Sequence, residues 1–288
     1  MNASSDSATD FSLFTFPDGL TIHRLGFGAM RLTGSGIWGE PDDPQEAKNV
    51  LKRALQLGVN FIDTADAYGP EVSERLIAEA LYPYPEDLVI ATKGGLVRGR
   101  VHDWYPDGRP AHLRQALEDS LRRLRLDRID LYQLHAPDPK VPLDESLGAL
   151  ADLQREGKVR HLGVSNVSLH QLQQAQKIIA VTSVQNRYNL ADRDSEKVLQ
   201  ACERQGIAFI PWYPLATGKL TGPANHLSAV AWACNGTPAQ IALAWLLRHS
   251  PVMLPIPGTA SVRHLEENVA AARMRLTEDE YQRLSEDD

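Results

Sequence analysis

A short apolar run followed by a helix-length amphipathic segment recurs eight times along the chain. The runs fall at 25–27, 60–62, 88–91, 129–134, 159–164, 183–184, 207–211 and 252–256. The segments between them carry apolar residues at helical spacing. Over 112–124, for instance, Leu113, Ala116, Leu117, Leu121 and Leu124 share one face, with charges opposite. Comparable faces occur at 47–57, 71–81, 146–155, 170–179, 195–203, 238–248 and 262–272. Pro238 after Thr237 is the proline-at-N1 pattern behind an N-cap. Strands alternating with helices demand a parallel sheet. Eight units in 288 residues, about 36 residues each, match a closed (β/α)₈ barrel, the TIM-barrel class of α/β fold, whose usual length is ~250 residues. Ahead of the first unit, two alternating runs flank Pro17-Asp18-Gly19, the chemistry of a hairpin turn. No linker-like or low-complexity stretch divides the chain, so 11–288 reads as one domain behind a frayed, disordered polar tail at 1–10.

Charge and cysteine content narrow the function. Lys and Arg number 30 against 37 Asp and Glu, a net charge of -7, opposite to the basic balance of a nucleic-acid binder. Cys202 and Cys234 are the only cysteines and form no C-x-x-C pair, which suits reduced thiols in the cytoplasm. No stretch approaches the ~20 apolar residues of a membrane span, and residues 1–10 lack the basic and apolar regions of a secretory signal.

In such a barrel the chemistry sits at the C-terminal ends of the strands. The residues just past the runs are Asp63 with Tyr68 nearby, Lys93, His135, Ser165-Asn166, Gln185 and Trp212. Singly, each has an ordinary explanation as a cap, a solvated charge or packing. Asp, Tyr, Lys and His together on one rim support a definite chemistry. A free phenol has a pKa of ~10. A neighbouring ammonium favours the phenolate and moves Tyr toward general-acid use. A carboxylate would hold that ammonium, and a neutral imidazole can orient a carbonyl. Such a site protonates an oxygen as charge develops on it, as carbonyl reduction requires, and a hydride carrier must complete it.

Gly58-Val59-Asn60-Phe61-Ile62-Asp63-Thr64-Ala65-Asp66-Ala67-Tyr68-Gly69 resembles the aldo-keto reductase motif that holds the catalytic Asp and Tyr. Ile129-Asp130-Leu131-Tyr132-Gln133-Leu134-His135-Ala136-Pro137-Asp138 resembles its histidine segment, Ala91-Thr92-Lys93 its lysine position, and Gly163-Val164-Ser165-Asn166 its fifth strand. The likeness spans residues 20–285. It implies an NAD(P)H-dependent carbonyl reductase with Asp63, Tyr68, Lys93 and His135 as the tetrad and Tyr68 as the acid. The N-terminal hairpin would close the barrel bottom. Ser165, Asn166 and Gln185 would hold the nicotinamide carboxamide, with Trp212 stacked on the ring. Gly28, Ala29 and Met30 would lie by the ribose. Leu215, Gly218 and Lys219 would follow the pyrophosphate. Gly258 and Thr259 would hold the adenosine end, with Glu267 and Asn268 on the adenine. The lysine that many members place at the Gly258 position is missing. Arg263 and His264, one turn on at a helix N-terminus, would take the 2′-phosphate of NADP, with NAD as the alternative. The stretch Leu81-Tyr82-Pro83-Tyr84 and the short loop after the seventh strand look most like bacterial members, including pyridoxal reductases. Trp38 in the loop 31–41, and Trp104 and Tyr105 in the loop 98–109, suggest a flat or apolar substrate. The sequence does not set the oligomeric state, and a monomer is compatible with it.

Other readings fit less well. Gly26-Phe27-Gly28-Ala29-Met30-Arg31 gives two of the three glycines of a dinucleotide fingerprint. None of the eight tyrosines has Lys four residues on, as short-chain reductases require. The nine histidines are scattered without H-x-H, so no metal site is expected. A Schiff-base aldolase using Lys93 remains an alternative, and would need that lysine neutral. So does a cofactor-binding regulatory subunit of the potassium-channel β type, which would turn over slowly.

Overall fold

Parallel strands β3 (Phe27–Gly28), β4 (Phe61–Asp63), β5 (Val89–Gly94), β8 (Ile129–Leu134), β9 (Val159–Ser165), β10 (Val181–Arg187) and β11 (Ala208–Trp212) form one curled sheet in that spatial order. The computed structural model describes residues 13–101, 103–216 and 226–286. The expected tail at 1–10 lies outside these residues, as do Gly218 and Lys219. All six residues of β5 are buried, as expected of a strand covered on both faces.

The eighth run, 252–256, closes the barrel without being a regular strand. On one side Phe209 N donates to Val252 O (2.8 Å) and Leu254 N to Phe209 O (2.8 Å). On the other, Gly26 N donates to Pro255 O (3.0 Å) and Gly28 N to Pro257 O (3.4 Å). In a parallel ladder the return bond to Gly26 would come from the N–H of residue 257, and proline has none. The two chains pass so closely that a Cβ on Gly28 would lie 2.5 Å from Ile256 O, and one on Gly258 2.6 Å from Gly28 O. Glycine is required on both sides of this seam.

Helices α1 (Pro44–Gln56), α2 (Val72–Leu81), α3 (Pro110–Leu124), α4 (Leu143–Arg155), α5 (Leu169–Ala175), α6 (Glu196–Gln205), α8 (Pro238–His249) and α9 (Val262–Ala270) answer to the eight predicted faces, and α7 (His226–Ala233) and α10 (Glu278–Ser285) are additional. Asp43 caps α1 by accepting from Gln45 N and Glu46 N, with Pro44 behind it. Thr237 and Gln240 form a capping box on α8, and Thr277 and Glu280 form one on α10. Val50, Leu51, Ile62, Leu76 and Ile90 share one apolar cluster between α1, α2 and the sheet.

The hairpin β1 (Leu13–Thr15) and β2 (Thr21–His23) pairs Phe14 with Ile22. Asp18 at its turn accepts from Arg160 Nε (2.5 Å) and pairs with His161 Nε2 (3.0 Å), and Phe16 stacks on His161 at 4.9 Å. His23 N donates to Asn60 Oδ1 (2.8 Å). These partners stand at the N-terminal ends of β9 and β4, so the hairpin abuts the face opposite the strand ends expected to carry chemistry. A second hairpin, β6 (Leu96–Arg98) and β7 (Trp104–Pro106), occupies the loop after β5.

Candidate active site

Register brings the rim together. Gly28 pairs with Asp63, and Asp63 with Ala91, so Lys93 extends one strand repeat further along β5. His135 follows the last residue of β8 and donates its N–H to Gly94 O (2.9 Å). Tyr68 stands on the turn after β4, where Ser73 N donates to Tyr68 O (3.1 Å).

Lys93 is wholly buried. Its Nζ donates to Asp63 Oδ1 (2.6 Å), Thr64 O (2.7 Å) and Tyr68 OH (3.3 Å), which uses all three of its N–H bonds. Burial pulls the ammonium down, but Asp63 and Tyr68 outweigh it and hold Lys93 above its ordinary range. That is the reverse of what a Schiff-base lysine needs. Burial also pushes the Tyr68 phenol up, and Lys93 only partly offsets this. The sequence-based expectation of a net lowering therefore does not hold. The resting group is a protonated phenol beside a fixed cation. His135 lies edge-on to Tyr68 at 5.8 Å. Burial and then Lys93 depress its pKa well below the usual value, leaving a neutral imidazole whose Nδ1 has no hydrogen-bond partner.

These groups open onto a cavity of about 670 Å³. Of the residues singled out from the sequence, Gly28, Met30, Asp63, Tyr68, Trp104, His135, Ser165, Asn166, Gln185, Trp212, Leu215 and Gly258 line it. Lys93 lies behind Tyr68 and Asp63. Ala29 is fully buried, and Thr259 turns its hydroxyl to Ser261 N (3.1 Å). Arg263 is exposed on α9 and paired with Glu267 (3.1 Å), while its other arm meets His264. Asn268 is buried. Ala29, Thr259, Arg263, His264, Glu267 and Asn268 do not line the cavity.

Two aromatic expectations need correction. Tyr105 does not line the cavity and is 48% exposed, because alternation along β7 sends it to the face opposite Trp104. Trp38 is also set back from it, with Ile37 lining instead. Arg31, at the head of the loop 31–41 expected to shape the pocket, lines the cavity, and so do Pro214, next to the expected Leu215, and Tyr213, which was not singled out. Arg31 is adjacent to the singled-out Met30. Tyr213 follows the last strand residue at φ +65°, a backbone state with no sequence signal in a tyrosine.

The polar groups suit a nicotinamide. Asn166, itself at φ +57°, is fixed by donating to His135 O (2.9 Å) and Ser165 Oγ (3.1 Å) and accepting from Trp212 Nε1 (3.0 Å). Gln185 commits its Nε2 to Asp63 Oδ2 (2.8 Å). Its Oε1 could accept from a carboxamide beside Ser165. Trp212 and Tyr213 supply flat faces, and the volume falls within the ~300–1,000 Å³ of small-molecule and cofactor sites.

Known proteins resemble this chain in sequence and fold. An uncharacterized oxidoreductase of Schizosaccharomyces pombe is 52% identical over 268 residues, covering 93% of this chain and 87% of its own. The pyridoxine 4-dehydrogenase of Escherichia coli is 46% identical over 266 residues, covering 90% and 92%. The crystal structure of an aldo/keto reductase from Klebsiella pneumoniae in complex with NADP and acetate superposes with a TM-score of 0.82 at 29% identity, covering 95% and 94%. The model of the aldo/keto reductase family matches residues 24–287, and the chain belongs to that family.

Proposed function

We propose that this chain reduces an aldehyde or ketone to the alcohol using NADPH. The observation that carries the reading is Lys93 Nζ, held between Asp63 and Tyr68 at the base of an amide-lined cavity. A bound nicotinamide supplies the hydride. Tyr68 donates its proton to the carbonyl oxygen, and the phenolate that forms is met by Lys93 at 3.3 Å. Asp63 keeps Lys93 in place and charged. The neutral His135 orients the carbonyl, and Trp104 covers it from the side. Ser165, Asn166 and the Gln185 carbonyl hold the carboxamide, and Trp212 packs on the ring. Gly28, Met30 and Gly258 line the cofactor's path.

NADP is favoured over NAD by the arginines around Gly258. Arg31 lies against that glycine, and Arg263 with His264 stands at the N-terminus of α9, where backbone N–H groups add to the attraction for phosphate. The substrate is a small, flat, ring-bearing carbonyl compound. The E. coli relative's name points to pyridoxine chemistry, and the aromatic wall around Trp104 suits the corresponding aldehyde. Among the described residues no helix is long and apolar enough to cross a membrane, and we place the enzyme in the cytoplasm as a single-domain catalyst. The test is loss of NADPH absorbance with pyridoxal and with simple benzaldehydes. Turnover that survives Tyr68→Phe would refute the assignment of the acid.

A further inference from the structure

Arg98 ends β6 and is 92% buried by area, its residue being 8% exposed. Its hydrogen bonds go to main-chain carbonyls on three separate loops. Nη1 donates to Ile37 O (2.6 Å) and Ala67 O (3.5 Å), and Nη2 to Gly36 O (3.1 Å) and Val101 O. The first and third belong to the loop after β3. Ala67 immediately precedes Tyr68 in the loop after β4. Val101 is in the β6–β7 hairpin. The guanidinium plane also lies 3.8 Å from the Trp104 ring centroid and 5.3 Å from that of Trp38. Trp104 in turn stands edge-on to both Tyr68 and His135 at 6.5 Å.

A buried guanidinium is costly unless its surroundings compensate. Here four carbonyl dipoles and two aromatic faces offset part of that cost, while Nε has no hydrogen-bond partner and burial still pulls the guanidinium below its ordinary range. This arrangement needs the planar fork of arginine. A lysine of equal charge has a point head that cannot reach several carbonyls and stack on a ring at once. Removing Arg98 would unfasten Trp104 from behind, while the turn that holds the acid keeps its own bonds from Tyr68 N to Ala65 O (3.2 Å) and from Ser73 N to Tyr68 O (3.1 Å). The aromatic wall of the cavity is therefore assembled by one side chain that does not itself line the cavity.

We propose that Arg98 is a positioning residue that clamps Trp104 over Tyr68 and His135, and so sets the preference of this site for flat aromatic carbonyl substrates over small aliphatic ones. The proposal rests on the reductase reading above. Wild-type turnover of a short aliphatic aldehyde with NADPH tests that reading separately, since such a substrate does not need the wall.

The experiment compares wild type, Arg98→Lys, Trp104→Leu and the double variant on pyridoxal and on propanal, with NADPH affinity by fluorescence and Tm for each. The expected result for Arg98→Lys is an aromatic-over-aliphatic ratio of kcat/KM reduced by about 10–100-fold, the range of a lost apolar contact in a pocket. The change lies mainly in KM for pyridoxal, with NADPH affinity within threefold of wild type. Trp104→Leu shows the same reduction, and the double variant no more than either single one, because both act on one contact. A role in folding alone would lower activity on both aldehydes together and leave their ratio unchanged, which overturns the proposal, as does an additive double variant. Where Arg98→Lys fails to fold, Trp104→Leu decides alone, an unchanged ratio again overturning it.

Discussion

Gln185 donates its side-chain amide to Asp63 Oδ2 at 2.8 Å, while Lys93 holds the other oxygen at 2.6 Å. One end of the glutamine positions the carboxylate that positions the lysine. The other end would accept from a nicotinamide carboxamide in the proposed cofactor site. Gln133 supports the same oxygen at 3.4 Å and is itself held by Ser183 Oγ at 3.1 Å.

Gln185→Leu should therefore impair two quantities together. Removing a hydrogen bond to a charged group costs ~1.5–3 kcal/mol, so kcat should fall by roughly tenfold or more. NADPH affinity should weaken because the carboxamide loses its acceptor. Ser183→Ala touches only the outer support and should leave NADPH affinity unaltered. Stopped-flow binding alongside steady-state rates separates the two effects. A Gln185→Leu enzyme with normal kcat would show that Lys93 and Gln133 suffice to hold Asp63.

Tyr68→Phe removes the proton donor and keeps the ring. General acids contribute ~10²–10⁴-fold, and kcat should drop by that order while NADPH binding persists. The pH profile follows from the same groups. The acid must be protonated to act, and burial raises its pKa above the ordinary value of 10.0. The rate of reduction should stay level through neutrality and decline only as pH rises beyond that ordinary value. His135, held neutral by burial and Lys93, should add no inflection near pH 6.5. An acidic limb at that pH would assign it a charged role.

Arg263 is tied to Glu267 at 3.1 Å, and that exposed pair contributes only ~0–1 kcal/mol, so a phosphate can displace it. Arg263→Ala should weaken NADPH by about tenfold, the scale of one charge-assisted contact, and leave NADH unchanged. Equal effects on both would take the 2′-phosphate to Arg31 instead.

Asp63, Lys93 and His135 were legible because each follows a periodic run and strand register brings them together, while Tyr68 comes in on the turn after β4. Asp63, Lys93 and His135 need nothing beyond a correct barrel. What stayed hidden depends on contacts that no local pattern encodes. Trp104 and Tyr105 are indistinguishable in a loop and are separated only once β7 forms and alternation assigns each a face. The eighth run reads as a strand, yet Pro257 withholds the hydrogen bond that would have made it one. α10 was legible in principle, since Thr277 and Glu280 have capping-box spacing. Nothing local marks Arg98, whose four carbonyl partners come from the loops after β3 and β4 and from its own hairpin.

A last prediction concerns stability away from the active site. Glu196 accepts from Tyr188 OH at 2.5 Å, pairs with His249 Nε2 at 3.2 Å, and accepts from Gln200 Nε2 at 3.0 Å. The His249 hydrogen bond, opposed by partial burial and aided by Tyr188, lowers its pKa to about 2. A carboxylate whose folded pKa is depressed stabilises the fold above its unfolded pKa and loses that contribution as pH falls through the folded value. The group is partly exposed, so solvent screening limits its worth. Glu196→Gln should cost about 1–2 kcal/mol at pH 7, a Tm lower by roughly 2–8 °C for a chain of this size. The gap between wild type and variant should hold down to about pH 4.5 and narrow steadily below it, as the wild-type carboxylate protonates. Urea titrations at pH 7, 5 and 3.5 read this directly. A gap independent of pH would show that the glutamate acts through packing rather than charge.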